Sequence, residues 1–470
     1  MKQLLYIIGC CSLLSGCHLY SNYERPQQIT QGIDSLYRDT TDTYTVAKSD
    51  TANFGNTPWQ EVFTDPQLQV LITKALEKNT NIRSADLAIQ QAEAGLKVAR
   101  LAYYPAISLS PQGTLSSWDF NKATKTYSIP LAASWQANIF SLRNNKKQSE
   151  VSLDLAKASK QATRTNIIAS VANLYYTLQM LDEQLKTTQA TVDLWAENVR
   201  AMELMKEAAM TNEAAVGQAK ANYYNLASTI PTLKQSITQS ENALCALLHE
   251  APHPIARGTF NADGFPQNYS TGIPLQLLAN RPDVHAAELQ LASAFYGVNI
   301  AKSAFYPTLN ITAQGSWTNS AGGMIVNPGK ILATAVGSLT QTIFGRGQLK
   351  AQLKISKLQY EDAQLQFEQA LLNAGQEVSN ALASYNAAAQ QQEACQKQVD
   401  VLSQTLKNTQ MLFQHSSGTT YLETLTAQQS LIQAQLTLIS DKFDKVQAAI
   451  SLYQALGGGR EMTASSEDGK

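Results

Sequence analysis

Two regions of the chain alternate apolar and polar positions with a period of two, which is typical of β-strands with one buried face. This alternation predicts β-hairpins over 104–140 and 306–344, each with an apolar face and an uncharged polar face. The returning strand of the second hairpin, 331–343, alternates less regularly. Strand lengths of about 10–13 residues suit tilted membrane strands. Periodicity alone leaves a soluble antiparallel sheet as the alternative.

Each hairpin is followed by a long proline-free stretch with helical periodicity, which predicts helices over 141–210 and 347–414. Each helix would extend about 100 Å at 1.5 Å per residue. The second carries two seven-residue apolar rows on opposite sides: Leu358, Leu365 and Leu372 in one, and Tyr360, Phe367, Ala374 and Ala381 in the other. A helix wedged between two neighbours in a cylinder wall would show this pattern, whereas a surface helix carries one stripe.

Shorter helices are predicted before and after these elements. A helix precedes each hairpin, over 80–102 and 282–304, and ends at a Tyr-Pro pair. Return helices are predicted over 213–249 and 420–456, the first kinked at Pro231.

The chain repeats itself, which indicates two copies of one structural unit. Tyr104-Pro105 recurs as Tyr306-Pro307 at an offset of 202 residues, and the residues around each pair match. We therefore predict a first repeat over 59–279 and a second over 280–459, with an N-terminal arm and a short disordered tail outside them, at 17–58 and 460–470.

The first 16 residues resemble a lipoprotein signal peptide. Lys2 gives a positive start, and the apolar stretch that follows is too short to span a bilayer. It ends in Leu14-Ser15-Gly16-Cys17, which resembles the bacterial lipobox, so Cys17 is the predicted lipid attachment site. An ordinary secretory signal with an incidental cysteine is the alternative.

Charge and composition exclude two classes of protein. Lys+Arg number 36 against 37 Asp+Glu, so the net charge of −1 excludes nucleic-acid binding by bulk charge. The 44% of hydrophobic residues excludes wholesale disorder.

No catalytic or cofactor-binding pattern emerges, so we predict no enzyme, no cofactor and no metal site. The histidines lack metal-ligand spacing on one helix face: His249 ends a helix, and prolines flank His253. Cys245 and Cys395 lie on predicted helices, where two buried free thiols are expected, although pairing stays open.

Strand number implies an oligomer. Four strands per chain cannot close a cylinder, and an open sheet edge is not tolerated in lipid. Several chains must therefore each contribute four strands to one membrane wall.

These features together resemble the TolC-like outer membrane efflux family, in its lipoprotein (NodT-type) branch. The resemblance covers nearly the whole mature chain and rests on the order and spacing of short motifs. They are Tyr23-Glu24-Arg25-Pro26, Phe63-Thr64-Asp65-Pro66, Asn280-Arg281-Pro282-Asp283, Ala287-Glu288-Leu289, Ile343-Phe344-Gly345-Arg346-Gly347 and Tyr453-Gln454-Ala455-Leu456-Gly457.

The resemblance implies a mainly α fold with a membrane β-barrel: a homotrimer with 12 strands and a long α-helical barrel. It also implies a passive exit duct for drugs or small toxic compounds, in the outer membrane and extending into the periplasm. The implied partners are outer membrane lipid, a periplasmic adaptor (membrane fusion) protein and an inner membrane RND-type pump.

We expect the tips of the two helical hairpins to form a periplasmic gate, at Thr211, Asn212, Ser416, Ser417, Gly418 and Thr419. The family usually carries an acidic residue and an arginine around the second tip, whereas this chain has His415-Ser416-Ser417-Gly418-Thr419, so we expect no electrostatic latch there. Two other functions stay open: an exit for secreted polypeptides, and a periplasmic coiled-coil scaffold on a lipid anchor.

Overall fold

The computed structural model describes residues 21–26, 54–117, 119–120, 122–262, 281–318, 331–415 and 421–460. Helices dominate these residues, and the predicted hairpins are present. In chain order the elements are α1 Trp59–Val62, α2 Pro66–Lys78, α3 Thr80–Leu101, β1 Ala106–Leu109, β2 Gln112–Ser116, β3 Thr124–Ala137, α4 Ile139–Glu207, α5 Glu213–Ala227, α6 Thr229–Leu247, α7 Pro282–Ser303, β4 Thr308–Thr318, β5 Ile331–Thr340, α8 Gln348–His415 and α9 Tyr421–Ala455.

The described chain divides into two units. Described residues of 21–26, 87–157 and 286–369 form the sheet unit, and those of 54–86, 158–285 and 370–460 form the helix unit. The predicted signal peptide, Cys17 and the predicted tail after Arg460 lie outside the described residues, as does most of the predicted N-terminal arm.

In the sheet unit, both hairpins join into one antiparallel sheet. β3 pairs with β4 over ten residue pairs, from Ser128–Thr318 to Ala137–Leu309, and β5 pairs with β4 on the other side. β1 and β2 both pair with β3, so they share one edge position. The sheet therefore has four strand positions filled by five segments.

The split of the first strand differs from the unbroken strand that the alternation predicts. The break falls at Ser110-Pro111, between β1 and β2. Pro111 has no backbone N–H and cannot donate to β3, whereas the Ser110 nitrogen still donates to the Pro130 oxygen at 3.2 Å.

The long helices α4 and α8 contain 69 and 68 residues. The return helix predicted over 213–249 is two helices, α5 and α6, and the break at Ser228 precedes Pro231 by three residues. Pro231 lies in the first turn of α6, where a missing N–H removes no helical hydrogen bond.

Tyr453 joins residues from the beginning and the end of the described helix unit. Its buried hydroxyl donates to the Thr57 oxygen and accepts from the Gly459 nitrogen, both at 2.8 Å. Gly459 has a φ of +78°, which favours glycine.

Candidate channel site

One face of the sheet, the apolar face, exposes large hydrophobic side chains. Ile107 is 74% exposed, and Leu115 and Leu339 are each 69% exposed. Leu109, Tyr127, Leu131 and Ile311 are also exposed on this face. A contiguous apolar surface of this kind marks a contact with lipid or protein.

The opposite face, the polar face, carries hydroxyl and amide side chains that bond to one another. The Ser128 and Ser316 hydroxyl oxygens lie 2.9 Å apart. The Asn310 side-chain nitrogen donates to the Thr340 hydroxyl at 3.2 Å. Other polar positions that the register places on this face are Ser108, Gln112, Thr114, Ser116, Thr126, Ser134, Gln136, Thr308, Thr312, Gln314, Thr334 and Ser338. Ala106, Pro130, Ala132 and Val336 interrupt the pattern on this face.

Charge is nearly absent from the described strands. Their single charged side chain is Lys125, which pairs in register with Leu115 and so belongs to the apolar face. The polar face thus combines hydrogen-bonding capacity with electrical neutrality.

The two apolar rows of α8 have different surroundings in the single chain. Phe367, Ala374 and Ala381 are buried. Leu358, Leu365 and Leu372 are 53–63% exposed. Within the single chain, one row is therefore packed and the other is exposed.

The first helix tip places Thr211 and Asn212 between α4 and α5. The Asn212 side-chain oxygen accepts from the Ala215 nitrogen at 3.0 Å and so caps α5. Two ion pairs brace the hairpin, Lys206 with Glu213 and Lys220 with Glu203. The hydrogen bond and charge of Lys206 lower the pKa of Glu213. Because the four side chains are 43–74% exposed, solvent screens these pairs and they add little stability. The second tip, Ser416, Ser417, Gly418 and Thr419, lies outside the described residues.

Residues 21–26, which we call the strap, are fixed to α7 in the sheet unit. Arg25 donates to both carboxylate oxygens of Glu288, at 2.7 and 2.6 Å. The hydrogen bond to Glu288 raises the pKa of Arg25. The Tyr23 nitrogen donates to the Tyr296 hydroxyl at 3.4 Å, and the Tyr23 ring meets Phe295 edge-on.

We expect Glu288→Gln to release the strap. The Arg25 side chain is 36% exposed and the Glu288 side chain 12%, so loss of the bidentate pair should cost about 1–2 kcal/mol. Backbone amides of 21–25 should then exchange with solvent roughly tenfold faster, as measured by hydrogen–deuterium exchange. Glu24→Gln, on an exposed side chain of the strap, is the matched control and should change nothing. Equal protection in Glu288→Gln and the parent chain would show that Arg25 does not hold the strap.

Two arginines in the helix unit hold separate segments together. Arg281, 6% exposed, donates to both Asp283 carboxylate oxygens at 3.0 and 2.5 Å, to Glu377 at 2.6 Å and to the Ala455 oxygen at 2.9 Å. It thereby ties the start of α7 to α8 and to the last residue of α9.

Arg257 connects the segment after α6 with two helices. It donates to both oxygens of Asp182 at 2.5 and 2.9 Å, and to Glu241 at 2.6 Å. Asp65 also connects two segments. Its carboxylate accepts from the Gln67 nitrogen, which caps α2, and from the Tyr175 hydroxyl at 2.6 Å.

The cysteine and histidine candidates are placed as follows. Cys245 and Cys395 are buried free thiols, as expected. The Cys245 sulfur lies 3.3 Å from the His253 Nδ1, and the His249 Nδ1 lies 3.3 Å from the Thr80 hydroxyl. Within the described ranges, no group of three or more His, Cys, Asp or Glu side chains could hold a metal ion. The same residues include no helix that is both long and apolar enough to cross a membrane.

Sequence reasoning missed the partners of the motif residues. Arg25 and Glu288 lie in two motifs that the chain separates by 263 residues, and Asp65 meets Tyr175 across 110. The only signal available was the presence of opposite charges, or of a donor and an acceptor, in different motifs.

Comparisons with known proteins place the chain in a class. The sequence profile of the outer membrane efflux protein family matches residues 71–249 and 273–458. The cation efflux system protein CusC of Escherichia coli O6:H1 is 29% identical over 96% of this chain and 97% of its own. The probable outer membrane lipoprotein SilC of Salmonella typhimurium is 26% identical over 97% of this chain and 99% of its own. A crystal structure of CusC superposes with a TM-score of 0.84 at 27% identity, covering 94% of this chain and 100% of that one.

The chain belongs to the outer membrane efflux protein family. It is the outer membrane channel of a tripartite efflux system. The predicted fold class, a mainly helical duplicated fold with membrane strands, is confirmed by the CusC superposition.

Proposed function

We propose that the protein works as a homotrimer, in which three sheets close into a 12-stranded barrel and the long helices form the periplasmic section of a passive exit duct. The observation that supports this most is the sheet itself. Within the described sheet, β5 and the β1/β2 edge each have one strand partner. An unpaired edge and an exposed apolar face are both unfavourable unless further strands and lipid meet them. Two further copies of the chain supply the strands.

We propose as partners a periplasmic adaptor protein and an inner membrane pump of the RND type, with small toxic compounds or drugs as cargo. The names of the relatives support an efflux role: CusC is a cation efflux protein, and TtgC of Pseudomonas putida is the outer membrane protein of a toluene efflux pump. The duct conducts cargo and makes or breaks no bond.

We also propose that Cys17 carries the lipid anchor. Only three residues lie between it and Ser21, where the fixed strap begins, so the two are four residue steps apart. An extended chain spans at most about 3.6 Å per residue, so the acyl chains start within roughly 15 Å of the strap. The SilC name, an outer membrane lipoprotein, supports the same assignment. Fatty-acid labelling of the parent chain that disappears in Cys17→Ser tests it.

The function is tested on the purified protein in mild detergent and then in planar bilayers. Native mass measurement should give three chains, and the same preparation should form ion-conducting channels. A monomer with intact helical structure would contradict the trimer. A stable trimer without conductance would contradict the duct.

The gate is a further part of the proposal. Thr211, Asn212 and the second tip at 416–419 should narrow the duct when no pump is docked, because small polar residues let the helix ends approach closely. Hydrogen bonds between short side chains contribute about 0.5–1.5 kcal/mol each, which keeps the open state a minor population.

We therefore expect Ser417→Asp to raise the open probability of the channel. Three copies of the added charge would face one another and repel. Single-channel recording measures the effect, and Ser417→Ala is the uncharged control. An unchanged open probability, or a parent channel that is already wide open, would place the constriction elsewhere.

A further inference from the structure

The polar face of the sheet has a chemistry that bears on what the duct can pass. Most of its side chains are hydroxyls and amides, and two pairs of them bond across strands, Ser128 with Ser316 and Asn310 with Thr340. The register places Gln136 beside Asn310 and Gln314 beside Thr334 on the same face.

The apolar face cannot line a water-filled passage favourably. Seven of its large side chains are 40–74% exposed in the single chain, and each gains free energy when it leaves water. Small residues at the middle of this face, including Ala133, Ala313 and Ala335, leave a shallow depression of about 460 Å³. Lipid chains can fill such a depression, whereas water gains few hydrogen bonds there. The polar face must then point to the passage.

We propose, on the basis of the proposed function, that this neutral polar face lines the membrane section of the duct. The section then selects solutes by size and hydrogen bonding rather than by charge, and it passes neutral solutes and ions of either sign. A charged wall would concentrate ions of one sign and exclude the other. The one charged side chain of the described strands, Lys125, lies on the opposite face.

The neutral strands do not match the charged cargo that the name of one relative states. CusC is named for cation efflux, yet the strands described here provide no ring of carboxylates that would favour cations. If the assembled system selects its cargo by charge, the groups that do so lie outside these strands.

The test is the ratio of K⁺ to Cl⁻ permeability, from reversal potentials of the purified full-length trimer in bilayers under a KCl gradient. For the parent channel we expect a ratio between about one-half and two, since a neutral wall steers neither ion. Gln314→Glu places three carboxylates on the polar face and should raise the ratio at least about threefold, more strongly at low salt. Gln136→Lys should lower it by a similar factor.

Two controls separate charge from shape. Gln314→Asn changes the side chain without charge and should leave the ratio unchanged. Lys125→Gln removes the charge on the apolar face and should also leave it unchanged.

Each contrary outcome has a separate meaning. A Gln314→Glu trimer that conducts with the parent's ratio would show that the polar face does not line the passage. A parent ratio far from one that neither Gln314→Glu nor Gln136→Lys changes would show that charges elsewhere control ion passage, and would overturn the inference while leaving the duct intact. A trimer with no conductance in any variant would overturn the proposed function and this inference with it.

Discussion

Replacing Arg257 by methionine should lower the free energy of unfolding of the helix unit by about 3–5 kcal/mol. The substitution removes a buried cation and leaves the Asp182 and Glu241 carboxylates without their cationic partner. The loss is large because the Glu241 side chain is only 14% exposed, so water cannot replace the arginine there. It also removes three charge-assisted hydrogen bonds and a fourth to the Ile255 oxygen at 2.9 Å. Denaturant unfolding followed by helical circular dichroism measures the loss.

Two variants test the reason for that loss. Arg257→Lys keeps the charge but cannot donate in a fork to Asp182, so it should fall between the parent and Arg257→Met. Adding Asp182→Asn and Glu241→Gln to Arg257→Met should recover part of the stability, because no uncompensated charge then remains. If Arg257→Met alone unfolds like the parent, the three side chains do not form a stabilising cluster.

The second large effect is expected at Arg281. Arg281→Met leaves Asp283, Glu377 and the Ala455 oxygen without their donor. Because the two carboxylates are more than half exposed and regain water, we expect a smaller loss of about 2–4 kcal/mol. The control is Lys160→Met, which breaks the half-exposed pair with Asp86 and should cost no more than about 1 kcal/mol.

The pH dependence of that loss is fixed by Asp283. Burial raises the pKa of this carboxyl, but the hydrogen bond and charge of Arg281 outweigh burial, so the pKa lies below its ordinary 3.8. A lowered pKa in the folded state stabilises the protein above the unfolded value and loses its effect as the pH falls through the folded value. The difference between Arg281→Met and the parent should therefore stay constant from neutral pH to about 5 and shrink below 3.8. A difference that grows on acidification would contradict the pair.

The hairpins and long helices were predictable because their signals are local. Alternation places Leu309 and Ile311 on one face and Asn310 and Thr312 on the other, and the register shows the same faces. The break in the first strand was not predicted, because the alternation continues through Pro111, although proline inside a strand is a signal of interruption. That the two segments share one edge position is known only from the structure, in which both pair with β3.

Contacts between distant motifs were beyond the sequence. Nothing local indicates that Arg25 meets Glu288, or that Arg257 reaches Asp182, because each pair depends on how separate elements pack. The two faces of the candidate channel surface could be predicted from the alternation. The row of Leu358, Leu365 and Leu372 could also be predicted, but not that it is exposed in the single chain. A heptad row shows that a surface is apolar and leaves open whether it meets its own chain or another.

The proline break makes the two edges of the sheet unequal partners. β5 offers ten consecutive residues for pairing, whereas β1 and β2 offer four and five on either side of a gap. Long uninterrupted edges attract any strand, and short interrupted ones do so poorly. A newly exported chain therefore has one edge, β5, that pairs readily with other strands, and one edge, β1 and β2, that pairs poorly. In the proposed trimer, β5 of each chain joins the interrupted edge of the next, and the gap between β1 and β2 limits which strands that edge accepts.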